Sequence, residues 1–67
     1  NPQMRVMSKK EGVEIVRKYG GDASHLPKML STDAVARYYG LRRGAIMEIV
    51  RTSEEGHSSL AHRIVAA

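Results

Sequence analysis

Residues 26–51 read LPKMLSTDAVARYYGLRRGAIMEIVR, and the rest of the chain is organised around this stretch. Asp33, with the polar side chains before it, can accept hydrogen bonds from the free N–H groups of a starting helix. A short helix is therefore predicted over residues 34–39. Gly40 suits the left-handed backbone conformation that commonly ends a helix.

A turn and a strand complete this stretch. Residues 41–44 read LRRG, which is typical of a tight turn with Gly44 at the position that needs a positive φ. The apolar, partly β-branched run 45–51 then predicts the strongest strand of the chain. Because apolar residues occupy both faces of this strand, we expect it to lie in the centre of a sheet, partly covered on each side.

Another helix is predicted upstream of this stretch. Ser8 and Glu11 form a capping box, in which the Ser8 side chain caps the helix and Glu11 reaches back to the Ser8 amide. The helix is expected from residue 9 to about residue 19, with Glu14 and Lys18 as an i, i+4 ion pair. Its apolar face comprises Gly12, Val13, Ile15, Val16 and Tyr19.

The remaining segments carry weaker signals. Residues 4–7 alternate apolar and polar and predict a short strand, whereas residues 22–26 can form a single helical turn. We expect Met29 and Leu30 to pack inward under the helix at 34–39. A polar loop is predicted over residues 52–59, followed by the last strand over residues 60–65.

The length and composition of the chain describe a small domain. Its 67 residues fit one domain that buries only about 60% of its unfolded surface, so its own core is marginal. The chain has no cysteine for a disulfide or a thiolate ligand. No apolar run approaches the roughly 20 residues that cross a membrane. A domain of this kind often gains stability by docking on a partner.

The sequence offers no constellation that points to catalysis. His25 and His57 fall in predicted loops and His62 in a strand, without the i, i+4 spacing of a helical metal site. The neighbouring Glu54 and Glu55 are more typical of a solvated turn than of acid–base chemistry. No serine stands in Gly-x-Ser-x-Gly, and no glycine-rich phosphate loop occurs. We predict no catalytic residue, no metal site and no cofactor, and a small hydrolase has the least support.

A small basic nucleic-acid-binding domain is the alternative function. The net charge is +4 and the pI is about 9.9, which permits contact with nucleic acid or with an acidic protein surface. The basic residues are scattered, however, and the link between the two helices is far too long for a helix-turn-helix. Tyr38 and Tyr39 are expected to pack in the core and at its rim rather than to stack on bases.

Four blocks of sequence carry a resemblance to a known family. They are Leu26-Pro27-Lys28, Asp33-Ala34-Val35-Ala36-Arg37-Tyr38, Gly40-Leu41-Arg42-Arg43-Gly44 and Ile49-Val50-Arg51-Thr52-Ser53-Glu54. In this order and spacing they resemble the small H-type component of archaeal DNA-directed RNA polymerase. They are also similar to the C-terminal assembly domain of the equivalent fifth subunit that eukaryotic polymerases I, II and III share. The resemblance ends in Arg63-Ile64-Val65 and so covers nearly the whole chain.

The resemblance implies a fold and a role. The fold is α/β (α+β), a compact single domain over residues 1–67 with a mixed, roughly four-stranded sheet and helices packed on one side. The role is non-catalytic and needs no cofactor: the domain docks on the largest polymerase subunit, near the small omega-like subunit, and supports assembly and transcription. It meets DNA only indirectly through the complex and does not contact a membrane.

The resemblance also sets expectations about the whole protein and its place in the cell. The N-terminal jaw domain of the eukaryotic subunit is expected to be absent from this chain. The protein is expected in the nucleus if it is eukaryotic, and in the cytoplasm if it is archaeal or viral. In the last strand, Ser59 and His62 stand where the family usually has tyrosines.

Arginines near the central turn and strand are the predicted partner contacts, since guanidinium groups suit carboxylates on a partner. Arg42 and Arg43 are the foremost of them. The full set of predicted partner-binding residues is Arg37, Arg42, Arg43, Arg51 and Arg63. The predicted structural caps and turns are Ser8, Asp33, Gly40 and Gly44.

Overall fold

A computed structural model describes residues 3–66 of the chain as four strands, two helices and a short 3₁₀ turn. The elements are β1 (Gln3–Val6), α1 (Lys9–Lys18), the 3₁₀ turn (Ala23–His25), β2 (Lys28–Leu30), α2 (Ala34–Tyr38), β3 (Ile46–Thr52) and β4 (Ser58–Ala66). The strands form one sheet in the order β1-β3-β4-β2. The pairs of β3 with β1 and with β4 are antiparallel, whereas β2 runs parallel to β4. The predicted α+β class and mixed four-stranded sheet are confirmed.

The two helices pack on opposite faces of this sheet rather than together on one side. Ile46 clusters with Ile15 of α1, whereas the next strand residue, Met47, clusters with Ala36 of α2. Because successive residues of a strand point to opposite faces, each helix covers a different face. We call these the α1 face and the α2 face. The central position of β3, which the sequence predicted from its apolar residues on both faces, has this packing as its cause.

The start of α1 matches the predicted capping box. The Glu11 N–H donates to the Ser8 hydroxyl oxygen at 3.1 Å, and the Ser8 N–H donates to the Glu11 carboxylate at 2.9 Å. The predicted Glu14–Lys18 pair is replaced by an ion pair between Glu14 and Arg17 at 3.2 Å. Residues three apart on a helix are neighbours just as residues four apart are, so sequence spacing does not separate these two partners.

The short helix α2 also has its predicted ends. The Val35 N–H donates to an Asp33 carboxylate oxygen at 2.9 Å, so Asp33 is the cap. Gly40 has a φ of 63°, and the Leu41 N–H beyond it donates to the Ala36 carbonyl oxygen at 2.8 Å. A left-handed residue followed by such a backward hydrogen bond is the usual end of a helix, and both cap predictions are confirmed.

Four side-chain or boundary expectations were wrong. Leu30 is 60% exposed because it alternates with the buried Met29 on an edge strand. Tyr38 is 84% exposed on a helix of five residues and packs edge-on against Tyr39 with ring centroids 5.0 Å apart. Val13 is also exposed on α1. β4 begins two residues earlier than predicted, since the ladder with β3 continues through Ser58.

Two leucines provide a matched test of the core. Leu26 is 2% exposed and packs with Met7, Ile15 and Ile46, whereas Leu60 is 60% exposed. We expect Leu26→Ala to lower the free energy of unfolding by about 2–5 kcal/mol, because truncation leaves a cavity. Leu60→Ala, the same chemical change at the surface, should change it by less than about 0.5 kcal/mol. Urea denaturation measures both, and equal losses would contradict this assignment of the core.

The Glu11 carboxylate should make stability depend on pH. The Ser8 amide hydrogen bond, followed by the Arg5 guanidinium, lowers the pKa of Glu11 below its usual value near 4.5. The folded state therefore favours the charged form, and this stabilisation is present above pH 4.5 and lost as the pH falls through the lowered pKa. Glu11→Gln should therefore lower Tm at neutral pH, by an amount that shrinks to zero in strong acid. Thermal scans against pH measure this, with Glu14→Gln as the control for loss of an exposed carboxylate. A Glu11→Gln deficit that is independent of pH would refute the linkage.

Candidate interaction surface

The five arginines predicted to contact a partner are all exposed. Within residues 3–66, the ion pairs involve Arg5, Arg17 and His62 with carboxylates, and none of the five candidates takes part. Their guanidinium groups are therefore free to bind groups on another molecule. Arg37 lies on α2, Arg42 and Arg43 lie between α2 and β3, Arg51 lies on β3 and Arg63 lies on β4.

The segment Leu41-Arg42-Arg43-Gly44, which we call the arginine turn, is fixed by main-chain hydrogen bonds to β4. The Gly44 N–H donates to the Val65 carbonyl oxygen at 2.9 Å, and the Val65 N–H donates to the Ala45 carbonyl oxygen at 2.9 Å. Leu41 packs against the core cluster on the α2 face. The φ of Gly44 is 92°, as the sequence predicted. The arginine turn therefore presents two neighbouring guanidinium groups from a backbone that is held at both ends.

Arg51 and Arg63 lie together elsewhere on the surface. Both belong to the α2 face, because Arg63 is paired with Met47 and Arg51 alternates with Ile49. They line one groove of about 420 Å³ that also includes Met4 and Asp33. We call this the basic groove. Arg37, Arg42 and Arg43 do not line it, so the structure divides the predicted set between two places.

A polar network on the α1 face was not anticipated from the sequence. His62 is 6% exposed, and its Nε2 lies 3.1 Å from one oxygen of Glu48. Arg5 donates to the other Glu48 oxygen at 3.4 Å and to Glu11 at 2.9 Å, and these carboxylates raise the pKa of Arg5. The Tyr19 ring meets the His62 ring edge-on at 6.2 Å. We call these residues the Glu48 network. Period-two alternation could have placed them on one face, but only the register pairs Glu48 with Arg5 and His62.

The imidazoles of the described region have local structural roles or lie exposed. His62 belongs to the Glu48 network, and an imidazole nitrogen of His25 lies 3.1 Å from the Tyr19 carbonyl oxygen. His57 is exposed in the loop between β3 and β4. Among residues 3–66, no three side chains of His, Cys, Asp or Glu lie close enough together to hold a metal ion. In the same range, neither helix has the length and apolarity to span a membrane.

Comparison with known proteins identifies the family. A family model described as "RNA polymerase Rpb5, C-terminal domain" matches residues 1–65. The chain belongs to the Rpb5 C-terminal domain family. Subunit RPABC1 of DNA-directed RNA polymerases I, II and III from Caenorhabditis elegans is 39% identical over 64 residues. That alignment covers 96% of this chain and 30% of the nematode subunit.

Two further relatives extend the comparison beyond animals. RPABC1 of Dictyostelium discoideum is 38% identical over 94% of this chain and 32% of that subunit. The archaeal RNA polymerase subunit Rpo5 of Methanothrix thermoacetophila is 34% identical over 96% of this chain and 82% of that subunit. The chain thus spans about a third of the length of the eukaryotic relatives and most of the archaeal one. The resemblance to a polymerase subunit found in the sequence is confirmed at the level of the family.

The arginine turn should depend on its glycine. Gly44→Ala places a side chain at a φ of 92°, and such strain costs about 1–3 kcal/mol of stability. The amide of residue 44 should also exchange hydrogen faster, because its bond to Val65 loosens. Gly56→Ala, at a φ of 83° in the loop before β4, is the matched control for strain alone. If both variants left the amide of residue 44 equally protected, Gly44 would not be what fixes the turn.

Proposed function

We propose that this chain is a non-catalytic part of a DNA-directed RNA polymerase that docks on the largest subunit and supports assembly and transcription. Membership of the Rpb5 C-terminal domain family is the observation that carries the proposal. Its relatives are named as subunits of polymerases I, II and III in eukaryotes and of RNA polymerase in an archaeon. Residues 1–67 would then act as one assembly domain, without the eukaryotic jaw domain.

The use of the titratable side chains supports a structural rather than a chemical role. Glu11 and Asp33 cap the two helices, and the Asp22 carboxylate accepts the Ser24 N–H at 2.9 Å. That hydrogen bond lowers the pKa of Asp22. Glu48 and His62 bind each other on the α1 face. These groups stabilise the fold, and a docking module is the function that makes fewest further demands on them.

The arginine turn is the proposed docking contact. Its two guanidinium groups are exposed and can each make paired hydrogen bonds to a carboxylate, which adds geometric specificity to charge. Because Gly44 and Val65 hold the turn, little backbone entropy is lost on binding. We therefore propose that Arg42 and Arg43 set the orientation of the domain on acidic residues of the largest subunit. Arg37 lies on the helix leading into the turn and would extend the same contact.

The setting follows from this proposal. The domain would lie close to the small omega-like subunit and meet DNA only through the complex. It would work in the nucleus if the source is eukaryotic and in the cytoplasm if it is archaeal or viral. Docking would also stabilise the domain, because a partner that binds only the folded state shifts the unfolding equilibrium.

Charge reversal at the arginine turn tests the proposal. We expect Arg42→Glu combined with Arg43→Glu to reduce co-purification of the largest polymerase subunit at least about tenfold, since lost charged contacts at an interface cost about 2–5 kcal/mol. The measurement is affinity purification of the tagged full-length protein from its source, with quantitative mass spectrometry of the recovered subunits. Lys9→Glu combined with Lys10→Glu is the control, because it reverses another exposed basic pair on the same chain.

Two results would contradict the proposal. Equal recovery with the arginine and lysine variants would show that the arginine turn is not the contact. Binding of the purified chain to DNA with a steep salt dependence, and no recovery of polymerase subunits, would favour the nucleic-acid-binding alternative.

A further inference from the structure

One edge of β4 is open over part of its length. β3 pairs with β4 from Ser58 to Ile64, but β2 pairs only with its last part, from Ile64 to Ala66. Within the described part of the chain, no other strand lies beside β4. The edge that faces away from β3 over residues 58–62, which we call the open edge, is therefore unpaired.

Pro27 explains why the pairing stops there. The Ile64 N–H donates to the Pro27 carbonyl oxygen at 2.9 Å, which is the first bond of the parallel ladder. The next bond of that ladder would run from the N–H of residue 27 to the His62 carbonyl oxygen. Proline has no N–H, so the ladder cannot extend in this direction. The chain before Pro27 leaves the edge, because Leu26 is buried in the cluster on the α1 face.

The direction of the backbone groups follows from the hydrogen bonds on either side. Val65 exchanges hydrogen bonds with the segment leading into β3, and the Ser53 N–H donates to the His57 carbonyl oxygen at 2.8 Å. Odd-numbered residues of β4 therefore direct their N–H and C=O groups toward β3, and even-numbered residues direct theirs away. Leu60 and His62 thus present two donors and two acceptors along the open edge, at the spacing that a further strand needs.

The side chains beside the open edge are apolar and basic. Leu60 is 60% exposed directly on it. On the α2 face, Arg63 projects from β4 itself and Arg51 from β3 opposite Ser59, and both line the basic groove. Asp33 also lines this groove, but its carboxylate already accepts the Val35 N–H. Glu54 and Glu55 lie in the loop beyond Ser58, so the positive charge is greatest beside residues 59–63.

We propose that the open edge takes up an extended acidic segment of a partner polypeptide, which pairs with Leu60 and His62 as an added strand. Main-chain hydrogen bonds would supply affinity, and carboxylates over the basic groove would supply direction and specificity. This inference rests on the proposed function, since docking is the event that would bring such a segment to the edge. It adds a second contact on a different part of the chain from the arginine turn.

Charge and backbone chemistry both favour this occupant. A polypeptide strand offers alternating N–H and C=O groups along its length, which matches the open edge, whereas a nucleic acid backbone carries no donors in that pattern. A second copy of the chain would bring another net charge of +4 and another Arg63 to the same edge. Like charges facing each other across paired strands destabilise the pairing. An acidic segment removes this repulsion.

The test uses the complete 67-residue chain and a peptide of about seven residues of alternating valine and glutamate, blocked at both ends. Valine favours the extended state, and the alternation places all glutamates on one face. We expect amide resonances of residues 58–63 to shift on titration, with slower hydrogen exchange at Leu60 and His62. The same peptide with lysine in place of glutamate is the charge control and should bind at least about tenfold more weakly.

Matched variants separate the backbone contact from the side-chain contacts. Leu60→Pro removes an outward N–H without removing a β3–β4 hydrogen bond, and proline is tolerated on such an edge. It should weaken peptide binding at least about tenfold, whereas Leu60→Ala keeps the N–H and should bind within about threefold of wild type. Arg63→Glu should also weaken binding at least about tenfold, and Lys18→Glu, on the exposed side of α1, should not. The Arg63→Glu result decides the matter if the proline variant does not fold.

Several outcomes would overturn the inference. They are no binding at millimolar peptide, equal binding by the Leu60→Pro and Leu60→Ala variants, or equal binding of the glutamate and lysine peptides. Shifts of the same amides with a single-stranded oligonucleotide but not with the peptide would assign the edge to nucleic acid. Shifts that depend on protein concentration alone, with dimers in sedimentation, would assign it to a second copy. Because no polymerase is present, failure here leaves the co-purification result unaffected, and failure there leaves this one unaffected.

Discussion

The pairing of β3 on both of its edges is the constraint on which the rest of this structure depends. Consecutive residues of β3 are buried in different clusters, Ile46 with α1 and Met47 with α2. A shift of one residue in the register would exchange the two faces and bring Glu48 into the apolar cluster under α2. One register therefore fixes the position of both helices and of the Glu48 network. It also fixes where the arginines emerge, since the arginine turn is bonded to the end of β4 beside it.

Signals that act over a few residues could be predicted from the sequence. The capping box at Ser8, the cap at Asp33 and the positive φ at Gly40 and Gly44 each depend on neighbours within about four residues. Packing between distant segments could not be predicted in the same way. Alternation shows that Met29 and Leu30 point in opposite directions, but which of the two is buried depends on where α2 lies. The opposite placement of the helices follows from connections that no local pattern encodes.

The candidate site shows the same division. Exposure of the five arginines follows from composition and charge, because arginine is seldom buried without a partner. Their grouping does not, since Arg51 and Arg63 share the basic groove only through the β3–β4 register. His62 was predicted to lie in a strand, and its burial beside Glu48 and Tyr19 needs the fold. Its position, where relatives of this family usually carry tyrosine, makes the last strand of this chain polar on its covered face.

The internal use of acidic groups explains how a modest net charge becomes a specific surface. Most of the carboxylates are engaged within the domain, either capping helices and turns or binding Arg5, Arg17 and His62. The remaining pair, Glu54 and Glu55, lies in the loop between β3 and β4. The arginines of the arginine turn and of the basic groove therefore face outward without internal partners among residues 3–66. An exposed strand edge normally invites pairing between copies, and natural proteins oppose this with charge. Here the same charge that keeps copies apart attracts an acidic partner, so repulsion between copies and recognition of the partner have one physical origin.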